Sequence, residues 1–418
     1  MSTKHKICVI GLGYVGLPLA VALARHFSVT GYDTDAKRVA ELCAGVDGTE
    51  EVGSAALVKF TVTDDVKRLV GHDVFIVAVP TPVDTENQPD LSAVLAAADT
   101  VGRSLQKGTI VVLESTVYPG VTEEVFGPAL ERASGLTCGQ DFFLGYSPER
   151  INPGDREHTV DRITKVIASQ SREVTATLED IYGAIAGRIC IARDIKTAEA
   201  AKAIENAQRD LNIAFVNEVA SIVGRMGLSI HDVLDVAETK WNFLPFRPGL
   251  VGGHCIGVDP FYLAYTARAV GYEPEIVLAG RRINDAMAGE IAQRIVEEVG
   301  SVAKQILVLG LTFKENVPDL RNSKAAELVL RLESHGLEVT VHDPLASATE
   351  AKLLYGIDLV PEMNGPYDAL VGAVEHASYR KLSAADFAAL VRPGGLVADI
   401  KGMWRSIDLP PGLHRWQL

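Results

Sequence analysis

Cysteine is scarce in this chain and scattered: there are five among 418 residues, at Cys8, Cys43, Cys138, Cys190 and Cys255. An odd number without metal-ligand spacing is the pattern of thiols that stay reduced, so neither a disulfide nor a zinc site is expected. Basic residues are outnumbered, 40 Lys and Arg against 54 Asp and Glu, and a formal net charge of -14 argues against nucleic acid as the main partner. A local basic pocket for a small phosphate ester stays open. Long apolar runs are missing too. The longest are strand-sized, none approaches a membrane span, and Met1 to Lys6 lack the charged-then-apolar order of a signal peptide. A cytoplasmic protein that does not enter a membrane is therefore expected. Short-period repeats and low-complexity segments are absent. The length fits two or three domains, and 47% hydrophobic residues are enough to give each its own core.

What is present begins at the N-terminus. The apolar run Lys6 to Ile10 meets Gly11-Leu12-Gly13-Tyr14-Val15-Gly16, then a helical segment from Leu17 to Phe27 and a second strand from Ser28 to Asp33. Three glycines in a strand-to-helix turn suit a tight bend, close approach of a pyrophosphate and close helix packing. The acid that closes the next strand, Asp33, sits at the spacing at which a carboxylate accepts from the adenosine ribose. It would repel a 2′-phosphate, so NAD is expected rather than NADP, although Lys37 and Arg38 lie nearby.

Further β-rich runs at Asp73 to Val79 and Thr109 to Leu113, with helix from Leu91 to Leu105 between them, extend this into a doubly wound sheet. Ligands of such sheets lie beyond the carboxyl ends of the strands. Pro80-Thr81-Pro82 and Glu114-Ser115-Thr116-Val117-Tyr118-Pro119-Gly120 stand there as candidate ligand loops, or else as ordinary proline-terminated turns. After the run Phe142 to Gly145, the loop Tyr146 to Gly154 brings Glu149, Arg150 and Ile151 between two prolines. On its own, Glu149 is equally compatible with a surface ion pair. A strand at Arg188 to Ala192 closes this first domain.

From Ile195 to Met226 the chain is alanine-rich and free of proline, which predicts one long helix joining two domains. Lys202 and Asn206 are four apart on one of its faces, where an ammonium and an amide can reach one ligand or simply line a solvated stripe. A short helix at Ser229 to Glu238 and the aromatic, proline-rich segment Trp241 to Gly249, which contains Arg247, lead to Val251-Gly252-Gly253-His254-Cys255-Ile256-Gly257-Val258-Asp259-Pro260. Here a thiol stands among glycines with an imidazole and a carboxylate close by, the local chemistry of a covalent catalyst. A lone cysteine is also often a small buried apolar residue, and these ten residues leave both readings open. The sheet period then returns at Gln305 to Leu309, Glu338 to Asp343, Tyr367 to Val374 and Leu396 to Ile400. The loop between the first two of these runs holds Phe313, Lys314, Asp319 and Arg321. The predicted fold class is α/β, with two Rossmann-like doubly wound domains over 1–194 and 300–418. They are joined by the long central helix and a helical middle domain over 195–299 that carries the cysteine stretch.

Together the glycine turn, Glu114-Ser115-Thr116, Ser147-Pro148-Glu149-Arg150, Lys202 with Asn206, Gly252-Gly253-His254-Cys255, and Phe313-Lys314 with Asp319 and Arg321 resemble the nucleotide-sugar 6-dehydrogenases. That family includes the UDP-glucose and GDP-mannose enzymes, and the resemblance covers essentially the whole chain. Arg150 to Gly154 and His254 to Asp259 look like the branch that acts on UDP-N-acetylhexosamines. UDP-glucose enzymes carry serine and lysine where this chain has His254 and Val258. The resemblance implies oxidation of the sugar C6 alcohol to a carboxylate with two NAD in turn, supplying surface-polysaccharide precursors, in a homodimer or higher homo-oligomer built on the long helix. It gives Cys255 the role of attacking the C6 aldehyde, and Lys202 and Asn206 that of stabilising charge on the C6 oxygen. Asp259 would manage protons and Thr116 hold a water, with Glu149 as the base for thioester hydrolysis. Gly11, Gly13, Tyr14, Val15, Gly16, Asp33, Arg38, Pro80, Thr81, Ser115, Thr116 and Arg321 would bind NAD. The UDP-sugar would meet Glu149, Arg150, Ile151, Lys202, Asn206, Arg247, Gly252, Phe313 and Lys314. Two alternatives remain: a family member using another nucleotide-sugar, and an NAD-binding sensor without catalysis.

Overall fold

The computed structural model describes residues 5–49, 51–57, 60–150, 159–253, 256–300 and 303–418. Its Cα packing separates two compact units, one formed by Met1–Glu205 with Phe261–Glu273, the other by Asn206–Pro260 with Pro274–Leu418. The boundary between Glu205 and Asn206 falls inside the long helix Ile195–Arg225, which ends within a residue of the sequence expectation.

The first unit is built on eight strands: β1 (Lys6–Ile10), β2 (Ser28–Tyr32), β3 (Thr61–Thr63), β4 (Val74–Val77), β5 (Ile110–Leu113), β6 (Phe143–Tyr146), β7 (Thr164–Ser169) and β8 (Arg188–Ile191). They lie in the order β3-β2-β1-β4-β5-β6-β7-β8. The first six of these form the parallel dinucleotide-binding arrangement, with its crevice where the order reverses beside β1. Alternation along the strands divides the core into two layers. Cys8, Ile10, Phe75, Val77, Val111 and Leu113 pack on one face with Val94, Ala98 and Val101 of the helix Ser92–Gly102. Ile7, Val9, Val74, Ile76, Ile110 and Val112 pack on the other with Leu17, Leu19 and Leu23 of the helix Gly16–Leu23. Burial on both faces is why these strands read as unbroken apolar runs.

Two strands of this sheet, β3 and β7, escape the sequence reading. β3 has only three residues, and in β7 a lysine, Lys165, interrupts the apolar run. β7 also pairs antiparallel with β6, Gly145 opposite Ser169 and Tyr146 opposite Ala168. The sheet is therefore mixed, and this reversal places Lys165 toward the carboxyl end of β6.

The second unit carries β9 (Gln305–Leu309), β10 (Glu338–His342), β11 (Tyr367–Gly372), β12 (Val391–Asp399) and β13 (His414–Gln417), all parallel, in the order β10-β9-β11-β12-β13. Strand β12 starts earlier than the sequence predicts. Pro393-Gly394-Gly395 forms a bulge, with Gly394 at φ +85° and the pairing slipping between Tyr367 and Ala369. Ile306, Val308, Ala369 and Val371 face the helices Glu275–Val299 and Lys324–Ser334, while Leu307, Leu309, Leu370 and Val397 face Phe387 and Trp404. Among the described residues, no helix is long and apolar enough to cross a membrane.

In the same unit His231, 3% exposed on the helix Ile230–Ala237, lies against Gly402, where a Cβ would come within 2.9 Å of the imidazole. Burial first, then the nearby Arg405, Arg247 and Lys401, hold its pKa down to about 4. The folded state therefore resists protonating a group that protonates near pH 6.5 once unfolded. Its contribution is present above pH 6.5 and is lost as the pH falls toward 4, amounting to roughly 3 kcal/mol. Urea unfolding of the wild type and of His231→Asn at pH 7 and pH 4.5 should show the wild type losing more stability than the variant. Equal losses would remove His231 as the cause.

Candidate active site

The glycine turn of the first unit is shaped by close approaches that only glycine permits. Gly11 has φ +89°, and a Cβ there would lie 2.6 Å from the Ala78 carbonyl oxygen; one at Gly16 would lie 1.8 Å from the Gly11 carbonyl oxygen. Gly13 instead has nothing within 4 Å of where a Cβ would stand, so the backbone there is open to a ligand. Tyr14 and Val15 complete the turn. The helix Gly16–Leu23 then begins with no side chain capping its N-terminus, so its amide end and dipole are available to an anion such as a pyrophosphate.

Asp33, one residue past the end of β2, accepts from the Leu12 amide at 2.8 Å and the Asp35 amide at 3.0 Å. Each of its oxygens keeps a lone pair for a ribose hydroxyl. These residues fit NAD. Arg38 is committed within the protein. Its Nε donates to the Leu12 carbonyl at 3.0 Å, and its guanidinium pairs with buried Asp47 at 2.7 Å, so it holds the turn against the helix Ala36–Cys43.

The two candidate loops beyond β4 and β5 are brought together. Ser115 Oγ accepts from the Val79 amide at 3.0 Å and donates to the Val79 carbonyl at 2.7 Å. Thr81 Oγ1 donates to the Thr116 carbonyl at 2.7 Å, and the Tyr262 hydroxyl donates to the Thr81 carbonyl. Pro80 stands exposed between them. Glu199, fully buried on the long helix, accepts from the Gly120 amide at 2.5 Å, the Thr122 amide at 2.9 Å and the Thr122 hydroxyl at 2.6 Å. Sequence reasoning missed this clamp.

Beyond β6 lies a buried ionic cluster that was only half anticipated. Glu149, 7% exposed, accepts from the Arg150 amide on Oε1 at 2.6 Å and from Lys165 Nζ on Oε2 at 3.0 Å. The same ammonium donates to Glu114 Oε2 at 2.9 Å, and the Tyr182 hydroxyl donates to Glu114 Oε1 at 2.6 Å. Burial pushes the Glu114 carboxyl up against the opposing pull of Lys165. The two carboxylates outweigh burial at Lys165 and keep it above the ordinary lysine range. The Arg150 guanidinium pairs with Glu205 on the long helix and also donates to the Thr164 carbonyl at 3.3 Å. Ile151 lies outside the described residues.

The long helix buries Lys202 and Asn206, 8% and 5% exposed, four residues apart on one face. Within the second unit, Asn206 Nδ2 donates to Asp259 Oδ2 at 2.5 Å, and Asp259 opens the helix Asp259–Ala269. Cys255 and His254 lie outside the described residues, but the backbone that leads to them is held firmly. The Gly253 amide donates to the Asn322 carbonyl at 3.0 Å, and Asn322 Nδ2 returns a bond to the Gly253 carbonyl at 2.9 Å. A Cβ at Gly252 would lie 2.4 Å from the Asn322 carbonyl oxygen, so the missing side chain admits protein backbone there. One at Gly253, φ +84°, would strike the Phe313 ring at 2.7 Å. Upstream, Asn217 accepts from the Gly249 amide at 2.8 Å and donates to its carbonyl at 3.0 Å.

Phe313 and Lys314 line a small cleft at the carboxyl end of β9 with Lys324 and Lys401 and with Glu315 and Glu375, and Lys324 is itself paired with Asp285 at 3.0 Å and Glu327 at 2.8 Å. Arg321 pairs with Asp319 at 2.6 Å, and Arg247 with Glu238 at 2.8 Å and Asp235 at 3.3 Å.

A dinucleotide turn and a buried carboxylate beyond the same sheet are features of an NAD-dependent dehydrogenase. Comparison with known proteins narrows this. Three models of the UDP-glucose/GDP-mannose dehydrogenase family match in succession: the NAD binding domain over residues 5–186, the central domain over 196–286 and the UDP binding domain over 307–406. Protein CapL of Staphylococcus aureus is 47% identical over 424 residues, covering 99% of this chain and 100% of that protein. The UDP-N-acetyl-D-glucosamine 6-dehydrogenase of Pseudomonas aeruginosa is 47% identical over 406 residues, covering 95% of this chain and 96% of that one. The solved UDP-D-ManNAc dehydrogenase of Pyrococcus horikoshii superposes with a TM-score of 0.87 at 30% identity, covering 98% of each chain. The chain belongs to the UDP-glucose/GDP-mannose dehydrogenase family and is an NAD-dependent nucleotide-sugar 6-dehydrogenase.

Proposed function

We propose that the chain oxidises the C6 hydroxyl of a UDP-N-acetylhexosamine to the uronic acid through a thioester on Cys255. The observation that carries the reading is Glu149, a buried carboxylate held beyond the carboxyl end of β6, on the sheet whose first turn fits NAD. Neither a two-electron alcohol dehydrogenase nor an NAD-binding sensor has a use for a hydrolytic base there. The choice of sugar is supported by relatives 47% and 44% identical that are named UDP-N-acetyl-D-glucosamine 6-dehydrogenases.

The roles follow from the chemistry of each group. NAD bound at the glycine turn supplies the hydride acceptor for each of two successive oxidations. Lys202 and Asn206 donate to the C6 oxygen as negative charge develops on it, and burial strengthens both interactions. Asp259, bonded to Asn206, orients that amide and exchanges protons with the site. The Cys255 thiolate adds to the aldehyde to give a thiohemiacetal, so the aldehyde stays attached until a second hydride leaves a thioester. Glu149 takes a proton from the water that cleaves it, Thr116 positions that water, and the thiol leaves as the acid departs. Lys314 and Phe313 hold the nucleotide portion, with Arg150, Ile151, Arg247 and Gly252 shaping the sugar side. Asp33 takes the adenosine ribose and Arg321 contacts the cofactor. In this reading residues 1–194 bind NAD, 195–299 carry the cysteine and 300–418 bind UDP, in a cytoplasmic homo-oligomer that feeds surface-polysaccharide synthesis.

NADH release measured over UDP-N-acetylglucosamine, UDP-N-acetylgalactosamine, UDP-N-acetylmannosamine, UDP-glucose and GDP-mannose tests this. The expected result is two NADH for each sugar consumed, greatest kcat/KM with a UDP-N-acetylhexosamine, and a C6 acid as product. One NADH per sugar with free aldehyde accumulating would end the thioester route, and a preference for UDP-glucose or GDP-mannose would end the substrate assignment.

A further inference from the structure

The function proposed above makes no use of Lys165, although it is the most deeply buried ammonium in the cluster beyond β6. Its side chain is 1% exposed, with Nζ 2.9 Å from Glu114 Oε2 and 3.0 Å from Glu149 Oε2. An unpaired cation at such depth is very costly, and filling the position with an apolar side chain would avoid that cost. The surrounding strand, Thr164–Ser169, is otherwise an ordinary apolar core strand. The charge therefore calls for a reason beyond packing.

We propose that Lys165 is a positioning residue for thioester hydrolysis: its ammonium, held between Glu114 and Glu149, fixes the Glu149 carboxylate and keeps it in the ionised form that accepts the proton of water. The inference rests on Glu149 being the hydrolytic base. Lys165 comes from β7, whose antiparallel pairing with β6 is secured next to Glu149 by Ser147 Oγ donating to the Val166 carbonyl at 2.8 Å. Tyr182, on the helix Arg172–Gly183, donates to Glu114, and its ring lies 5.5 Å from the ammonium. Among the described residues, the other charged neighbour is Arg150, paired with Glu205, and Lys165 is the cation bonded to both Glu149 and Glu114.

Removing that cation leaves two buried carboxyls within about 6 Å of each other, since each lies within hydrogen-bond distance of the same nitrogen. Two such groups cannot both stay ionised and will share a proton, titrating as a pair at higher pH. A base must be deprotonated to act, so hydrolysis then fails on the acid side first. The same logic gives a rescue. Converting Glu114 to Gln in the absence of Lys165 removes the rival charge and lets Glu149 ionise again.

Single-turnover hydrolysis of the covalent adduct, formed with NAD and UDP-N-acetylglucosamine, is followed from pH 5 to 9 in the full-length enzyme. In Lys165→Met the acid limb should move up by at least about one pH unit, with the Kd for NAD within twofold of wild type. In Lys165→Arg it should stay in place. The double variant Lys165→Met with Glu114→Gln, which removes the carboxylate that competes with Glu149 for a proton, should return the limb toward wild type and also serves if the single variant folds poorly. An unmoved limb in Lys165→Met, or one the second substitution does not restore, overturns the role of Lys165. Normal hydrolysis without adduct in Glu149→Gln would overturn the reading of Glu149 itself, and this inference with it.

Discussion

Cys255→Ser is expected to stop uronic acid formation, lowering turnover by on the order of 10³-fold or more, with NAD binding left within about twofold of wild type. A cysteine is partly thiolate at neutral pH and intrinsically nucleophilic, whereas an isosteric serine hydroxyl needs a base to become either. Without the covalent hold, the aldehyde is free to leave between the two oxidations. The cofactor turn, built by Gly11, Gly13, Gly16 and Asp33 in the first unit, contains none of the residues that carry the cysteine. The backbone entering the stretch is fixed from Gly253 by its two bonds to Asn322, which the substitution does not touch. Product formation and NAD affinity should therefore separate. The measurement is uronic acid by mass spectrometry beside NAD titration by protein fluorescence. Uronic acid at the wild-type rate from the serine variant would reduce Cys255 to a structural residue.

The parts of this molecule that local physics dictates were legible in the sequence. Burial on both faces of a parallel sheet writes unbroken apolar runs such as Val74–Val77 and Ile110–Leu113, and a turn too crowded for a Cβ writes Gly11 and Gly16. An alanine-rich, proline-free stretch writes the helix Ile195–Arg225. The support around these parts was not legible. Lys165 meets Glu114 across 51 residues and Tyr182 meets it across 68, so no spacing rule connects them. A lysine in an apolar strand was the only available signal, and it also made β7 harder to read as a strand. Glu199 follows the same logic. It ties down the loop from Gly120 to Thr122 across 79 and 77 residues. The glycines before Cys255 are expected to let backbone and substrate approach closely. The structure gives Gly252 and Gly253 a second reason, since the Asn322 carbonyl and the Phe313 ring occupy the space a side chain would need.

Glu149→Gln should slow hydrolysis by about 10² to 10⁴-fold, the usual loss on removing a general base, while leaving both hydride transfers. The substitution keeps the shape of the side chain. The glutamine carbonyl can still accept from Lys165 or from the Arg150 amide, the bonds that hold the native carboxylate at 3.0 Å and 2.6 Å. What it loses is the charge, and with it the ability to take a proton from water. Mixing the variant with NAD and UDP-N-acetylglucosamine should then give a burst of two NADH per active site, followed by a slow steady rate. During that slow phase, intact-protein mass should rise by one covalently bound nucleotide-sugar acyl group on Cys255. The double variant Glu149→Gln with Cys255→Ser should show no adduct and no burst of two NADH, which separates an acyl-enzyme from tightly bound product. A burst of one NADH would instead mean that the variant stalls before the thioester, placing Glu149 in the second hydride transfer. Wild-type turnover without an adduct would assign the proton transfer to another group.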